Sequence, residues 1–389
     1  MNRKSVLAHA ILALGGLTLA YLVWTDEGPS REVDEVELVD CEPEDVTRAE
    51  LSTEDKDVTL EITRDGDDVL VRATVVRHRE DADDETQRFV ADVDGVNEWL
   101  EQVAPLTARR TLGDLDAEQL AEIGLEGEEA HPGRFALTCG GTVHTFQIGG
   151  RAYGSGDRYA RREGGGPVQL LGNERLLSIE SAEFRLMERQ LHHFEWTGVT
   201  ELRVEGWGEQ KTLLQRNRLD EAGAEWVDQA SPDRRNEVYG NWLSAYPRVR
   251  VQRYLDPEQE PGAELDEPAT AEASVRLTFR GEDGELGRME LRRVDRIPLV
   301  YYARTESTHD WTIVPTSVAQ SFEDDARTVL GLDPLDRPEP PAPAPTSSEP
   351  DAGTEADAGV DAAVAPTTET GTETETETGT TAGTETAPE

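Results

Sequence analysis

Val58-Thr59-Leu60-Glu61-Ile62-Thr63-Arg64-Asp65-Gly66-Asp67-Asp68-Val69-Leu70-Val71-Arg72-Ala73-Thr74-Val75 is the stretch whose reading decides the fold. Val58, Leu60 and Ile62 alternate with Thr59, Glu61 and Thr63, and after Asp65-Gly66 the alternation resumes with Val69, Val71, Ala73 and Val75. Successive side chains of a strand point to opposite faces, so a period of two marks two strands with one buried face each, and Asp-Gly supplies the turn. The stretch predicts an antiparallel hairpin at the start of a half-buried sheet.

Downstream, the period changes. Asp94 is suited to cap a helix in which Val96, Trp99, Leu100 and Val103 share a stripe, with Pro105 at its end. A second short helix is expected from Leu115 to Ile123, stopped by Gly124. Strands come next at Phe135–Cys139 with a Gly140-Gly141 turn, Val143–Ile148 with a Gly149-Gly150 turn, Tyr159–Arg162 and Val168–Leu171. Asn173 then opens a helix running to about Leu191, on which Leu176, Leu177, Phe184, Met187 and Leu191 can share a face.

The pattern then restarts. Val46-Thr47-Arg48-Ala49-Glu50-Leu51 is echoed by Val199-Thr200-Glu201-Leu202-Arg203-Val204, and Trp99-Leu100 through Leu112 aligns without a gap onto Trp242-Leu243 through Leu255. Val275–Phe279, Met289–Leu291, Val300–Tyr302 and Trp311–Val314 supply a second set of strands, and Ser317–Leu330 a closing helix. Recurrence in matching order predicts two related α+β units.

Upstream, Ser5 to Thr25 contains no Asp, Glu, Lys or Arg. Val6 to Trp24 is close to the roughly 20 residues that cross a hydrocarbon core of about 30 Å. Arg3 and Lys4 before it, with Asp26 and Glu27 after it, predict a cytoplasmic amino terminus and an exported body. A cleaved signal peptide is the rival, but its apolar region is shorter and Leu17-Thr18-Leu19-Ala20 is a poor cleavage site. His9 lies within the span, single and neutral, and is read as tolerated there. From Leu335 the chain turns to Pro, Ala, Thr, Glu and Gly, which leaves too little apolar surface to offset ordering, so disorder is expected.

The 389 residues carry 38 Lys+Arg against 81 Asp+Glu, a formal net charge of -43. Such charge repels phosphate backbones and anionic lipid headgroups, so nucleic acid is excluded as a partner and the lipid contact is limited to the apolar span. The two cysteines, Cys41 and Cys139, allow a disulfide in an exported body. Cys139 also alternates with Phe135 and Leu137 on a strand's apolar face, where a free thiol behaves as a small hydrophobe. Both readings stay open.

Few residues carry a chemical signal. There is no Gly-Lys-Ser/Thr phosphate loop and no dinucleotide fingerprint between a strand and a helix, so no cofactor is expected. Gly154-Ser155-Gly156-Asp157 resembles a nucleophile turn but comes after a hairpin pattern, and Ser155 is read as part of a chain reversal. His192 and His193 diverge by about 100° if helical, which suits a helix end better than a metal. His131 and His144 flank one expected strand without companion ligands. Glu80 to Glu85 lacks the glycine and spacing of a calcium loop and reads as a solvated loop. Trp99 and Trp242 read as core. No catalytic, cofactor or metal residue is assigned.

Taken together, several features make the chain resemble the DUF4340 family of bacterial membrane-anchored proteins. They are the N-terminal anchor, Pro43-Glu44-Asp45-Val46-Thr47-Arg48-Ala49-Glu50-Leu51, the strand pair, the Val96 to Leu112 segment, Gly124-Leu125, and Phe146-Gln147-Ile148-Gly149 with Tyr153 and Tyr159 after it. The resemblance covers about Val36 to Leu191, and the chain departs from the family in its acidity, its cysteine pair and its tail. It implies an envelope accessory role near gliding-motility-type ABC-transporter components, with no catalytic residue to carry over.

The expected architecture is α+β. Residues 1–28 form a cytoplasmic stub and transmembrane anchor, 33–195 and 196–333 two related units of mainly antiparallel sheet with packed helices, and 334–389 a disordered tail. The expected protein is a non-enzymatic binding or scaffolding accessory of the inner membrane, with Val6 to Trp24 in lipid, a periplasmic body and an envelope or ABC-transporter-type partner. The alternatives are a hydrolase acting on envelope glycans through a carboxylate pair, and a surface adhesion protein.

Overall fold

The structure, a computed structural model, describes residues 35–335 except 67, 81, 129 and 220–223, together with Gly16. The expected anchor, Val6 to Trp24, lies outside the described residues apart from Gly16, and so does the tail from 336 onward. No helix among the described residues is long and apolar enough to cross a membrane.

The first half contains β1 (Val36–Val39), β2 (Val46–Ser52), β3 (Lys56–Asp65), β4 (Asp68–Arg77), β5 (Glu85–Val90), α1 (Val93–Val103), β6 (Leu106–Ala108), β7 (Arg110–Gly113) and α2 (Ala117–Glu122). It continues with β8 (Gly133–Cys139), β9 (Thr142–Arg151), β10 (Arg158–Arg162), β11 (Val168–Leu171), α3 (Asn173–Glu180) and α4 (Ala182–Arg185). The second half contains β12 (Glu201–Gly206), β13 (Glu209–Arg216), β14 (Glu225–Asp228), α5 (Glu237–Ala245), β15 (Arg253–Tyr254), β16 (Glu272–Arg280), β17 (Glu285–Val294), β18 (Val300–Thr305), β19 (Thr312–Val314) and α6 (Thr316–Leu330). The fold is sheet-rich α+β, and every strand pair is antiparallel.

The hairpin forms as its alternation requires. β3 and β4 pair from Lys56↔Arg77 to Asp65↔Asp68, and Gly66 takes the positive φ of 63° that the tight turn needs. Val58, Leu60, Val71, Ala73 and Val75 are all buried.

A nine-stranded sheet in the order β5-β4-β3-β2-β8-β9-β10-β11-β7 grows from this hairpin, β1 and β6 form a small two-stranded sheet, and the second half forms an eight-stranded sheet in the order β14-β13-β12-β16-β17-β18-β19-β15. Leaving out β5, the two large sheets share one strand order, strand for strand along the chain. In both halves a tryptophan links the first long helix to the closing helix. Trp99 Nε1 donates to the Arg175 carbonyl at 2.8 Å, and Trp242 Nε1 donates to the Phe322 carbonyl at 3.1 Å. Each indole is 1% exposed, so the bond satisfies a polar atom within apolar packing.

Four expectations need correction. The cap of α1 is Asp92, whose carboxylate accepts from Asp94 N at 3.3 Å; Asp94 already lies in the first turn. Gly149 and Gly150 are inside β9 and not a turn. A Cβ on Gly149 would lie 2.5 Å from the Ile123 carbonyl, and Gly150 N donates to that carbonyl at 2.8 Å; the glycines admit the end of α2. The helix expected from Asn173 to Leu191 stops at Glu180 and, after α4, gives way to extended chain. Its cap position is Gly172, without a side-chain cap, and Phe184 is 70% exposed. The edge strand β5 was not foreseen, since only Phe89 and Val90 of its six residues are buried.

Polar ties fix the helices to the sheets. Glu183 of α4, itself buried, pairs with Arg77 Nη2 at 2.7 Å and Lys56 Nζ at 3.3 Å. Glu323 of α6 is fully buried and receives both Arg293 Nη1 at 2.9 Å and the Tyr301 hydroxyl at 2.7 Å. Cys41 and Cys139 form a disulfide with Cα atoms 6.2 Å apart, tying the segment between β1 and β2 to the end of β8 across a sequence separation of 98.

Burial pushes the Glu183 carboxyl up, but the Arg77 hydrogen bond, its own backbone bond and Lys56 hold it below its ordinary value. Its contribution is therefore fully present above the unfolded value near 4.5 and disappears as pH falls through the lowered folded value. Glu183→Gln should cost about 1–3 kcal/mol at pH 7 and progressively less below pH 4.5, as measured by urea unfolding across pH. Replacing both cysteines by Ser should lower unfolding stability by about 4–5 kcal/mol on the chain-entropy account, measured by the same method.

Candidate functional site

One short segment gives backbone hydrogen bonds to both halves. Residues Leu186 to Arg189 lead out of α4 beside the end of β5, with Met187 in an isolated antiparallel bridge to Ala91. Asp92 N donates to Leu186 O at 2.7 Å, and Glu188 N donates to Val90 O at 2.9 Å. The same segment reaches the second half: Val251 N donates to Arg189 O at 3.0 Å, and the Tyr254 hydroxyl donates to Glu188 O at 3.1 Å. Arg72–Asp310 at 2.7 Å and Arg88–Asp256 at 2.8 Å also cross between halves. These outer pairs are partly solvated and contribute little beyond orientation.

Glu188, 3% exposed, turns its carboxylate back on the connector. It accepts from Gln190 N at 2.5 Å and lies 2.6 Å from His193 Nε2. Burial pushes this carboxyl above its ordinary range, the Gln190 bond and His193 oppose the shift, and the Asp92 charge adds to it.

The neighbouring imidazole points elsewhere. His192 Nδ1 is hydrogen-bonded to Glu306 Oε1, while Glu306 Oε2 accepts from Arg288 N at 2.9 Å. A carboxylate accepts, so it holds a proton on Nδ1. Gly287 makes room for this pair: a Cβ there would lie 2.3 Å from Glu306 Oε1 and 2.9 Å from His192 Nδ1. The His192 ring stacks on Phe194 at 4.8 Å and on Tyr246 at 5.7 Å between centroids, and meets Phe279 edge-on at 5.0 Å. Two buried polar atoms in this nest, His192 Nε2 and the Tyr246 hydroxyl oxygen, have no hydrogen-bond partner among the described residues. Burial, with the Glu306 charge, pushes the Tyr246 phenol well above its ordinary value, so it stays a donor.

Both residues line a cavity of about 190 Å³, together with Gln190, Trp196, Pro247 and Arg250 among others. Among the described residues its lining contains no Ser, Thr or Cys. Half-buried Phe194 and Trp196 with exposed Gln190 and Arg250 give it aromatic and polar walls.

A larger concavity of about 720 Å³ lies on the outer face of the second sheet, over residues of β12, β16, β17 and β18. Leu277 and Met289 point into the core with α6, and the alternating Arg276 and Glu290 point out. Glu290 gathers Arg292 at 2.8 Å, Arg276 at 3.5 Å and Arg304 at 3.9 Å. Arg292 and Arg304 each stand 4.5 Å from the centroid of the Trp311 ring. The first sheet has a comparable outer face, where Glu50 takes Arg48 at 2.7 Å and Arg134 at 3.3 Å.

The structure places His192 and His193 just beyond the connector, not at a helix end. The chain leaves the helix because Val90 and Asp92 engage its backbone, and in extended chain the two rings diverge toward Glu306 and Glu188. His131 precedes β8 while His144 pairs with Leu137 toward its other end, so the ladder separates them. Ser155 Oγ accepts from Asp157 N at 3.3 Å within a turn. No group of three or more His, Cys, Asp or Glu side chains among the described residues is placed to hold a metal ion. Glu306 carried no signal in the sequence, because its partner is 114 residues away.

Residues 82–268 match the model described as "Domain of unknown function (DUF4340)". The chain carries a DUF4340 domain. The DUF4340 match starts later than the resemblance read from the sequence and runs past Leu191 into the second half, from the approach to β5 to beyond β15. It includes the connector, Glu188, His192 and Tyr246, and it leaves out Glu306 and the outer face of the second sheet. No curated protein and no solved structure matches the chain.

Gly287→Ala should push Glu306 off His192, because the carboxylate is the end of a side chain that can move while the strand cannot. The expected result is a changed His192 Nδ1 resonance in histidine-labelled NMR spectra and a stability loss of about 1–3 kcal/mol from an unpartnered buried imidazole.

Proposed function

We propose that this chain is a single-pass, membrane-anchored envelope protein whose two related α+β halves form a non-enzymatic binding or scaffolding body beside a transporter-type complex. The observation that carries the reading is the shared strand order of the two large sheets, each of which also carries paired charges, around Glu50 and around Glu290. Common order, with equivalent tryptophan bonds from the first long helix to the closing helix, supports descent of both halves from one unit. The apolar, charge-free Val6 to Trp24 supports the anchor and, with Arg3 and Lys4 before it, a periplasmic body.

Polar sheet faces dressed with paired charges suit protein contact. Glu188 and Asp92 influence one another, and both are engaged, by Gln190 and His193 and by the α1 cap, which favours a structural role for this pair over hydrolysis.

The test is extraction of the tagged full-length chain from its native membrane in mild detergent, compared with an Arg276→Glu, Arg304→Glu variant. The reading expects a membrane-protein partner in stoichiometric amount that the charge reversal removes. Recovery of the chain alone, or of the same partner with both chains, would count against it.

A further inference from the structure

At one end of the first sheet a histidine ring has an acid on each nitrogen. His78 follows β4, the strand that carries the edge strand β5. Its Nε2 lies 3.1 Å from Asp57 Oδ2 of β3, and its Nδ1 lies 3.1 Å from Oδ2 of Asp84, the residue before β5. Asp57 Oδ1 accepts in turn from Ser52 Oγ of β2, and His78 N donates to Asp55 O at 2.8 Å. The ring therefore bridges the start of β3 and the start of β5 across the end of β4.

Ionised carboxylates only accept hydrogen bonds, and a ring nitrogen donates only when it carries a proton. Serving both acids takes a proton on each nitrogen, which is the imidazolium. The neutral ring has one N–H, so its other nitrogen turns a lone pair on a carboxylate. The charged neighbours do not relieve that conflict. Lys56 of β3 and Arg77 of β4 pair with Glu183 of α4, and Arg79 of the β4–β5 loop pairs with Glu85 of β5; Asp83, beside Asp84, is exposed and adds negative charge. Among the described residues, neither Asp57 nor Asp84 has an ion pair other than His78. The Asp84 hydrogen bond, joined by Asp57 and opposed by a smaller desolvation, raises the imidazole above its ordinary value of 6.5. Its contribution is thus fully present below pH 6.5 and is lost as pH rises through the raised value. With the ring a third exposed, solvent screens the charges, and the effect rests on the number of N–H donors.

We propose that His78 is a pH-operated clasp on the edge strand β5: the imidazolium holds Asp57 and Asp84 together, and loss of its proton releases the start of β5. That strand carries Arg88, paired with Asp256 of the second half at 2.8 Å, and Val90, whose carbonyl takes Glu188 N at 2.9 Å, so the clasp sits on a strand that joins the halves. It needs no membrane partner, and the extraction experiment has the same outcome with or without it.

The test is histidine-labelled NMR of the full-length chain, together with native-state hydrogen exchange read as protection factors between about pH 6 and pH 9. His78 should titrate above 6.5 with both ring nitrogens protonated below its midpoint. Protection of the Glu85 to Gln87 amides should fall about threefold to tenfold through that midpoint, the worth of one hydrogen bond. Ile62 and Leu70, at the far end of the β3–β4 hairpin, should hold theirs. In Asp84→Asn the side-chain amide can donate to the neutral ring, so the fall should vanish while the chain stays folded. A His78 midpoint at or below 6.5, level protection of Glu85 to Gln87 across its midpoint, or the same fall in Asp84→Asn would each overturn the proposal.

Discussion

The two halves need a common tie, and in this protein Leu186 to Arg189 supplies backbone hydrogen bonds to both. The segment covers the end of β5 through Leu186 O and Glu188 N and takes Val251 N on Arg189 O. It thereby holds the end of β5 at Val90 O and the chain leading into β15 at Val251 N. It also orients the two histidines beyond it: with Glu188 held by its backbone, His193 turns back to the Glu188 carboxylate and His192 turns into the aromatic nest. The cavity, the His192–Glu306 bond and the crossing ion pairs all presuppose that connection.

Most of the fold was legible where one local pattern dominated. The hairpin from Val58 to Val75 came from alternation, α1 from its Val96, Trp99, Leu100 and Val103 stripe, and both sets of strands from apolar runs between glycine turns. The elements that escaped were set by distant partners. β5 exists because β4 offers it an edge, and Glu85-Thr86-Gln87-Arg88 shows no alternation. Gly149-Gly150 has the composition of a turn, yet both residues stay in the strand because the Ile123 carbonyl approaches too closely for a side chain on Gly149.

The site was less legible than the fold for the same reason. Adjacent histidines invite a metal or helix-end reading, but extended backbone sends them to different carboxylates, Glu306 and Glu188. Only the chain path brings Glu306 to His192, and only Gly287 leaves room for the two to meet. The outer faces were hidden too. Arginine and glutamate alternate with core residues on β2, β16 and β17, and their grouping around Glu290 and Glu50 depends on strand register.

The central claim is that the connector makes the two halves one body. Native-state hydrogen exchange on the full-length chain tests it most directly, read at the amides of Glu188 and Val251. The account predicts that both exchange as slowly as core amides of β3 and β16, through global unfolding. Exchange at the rate of a solvated linker, with the two sheets opening independently, would contradict it.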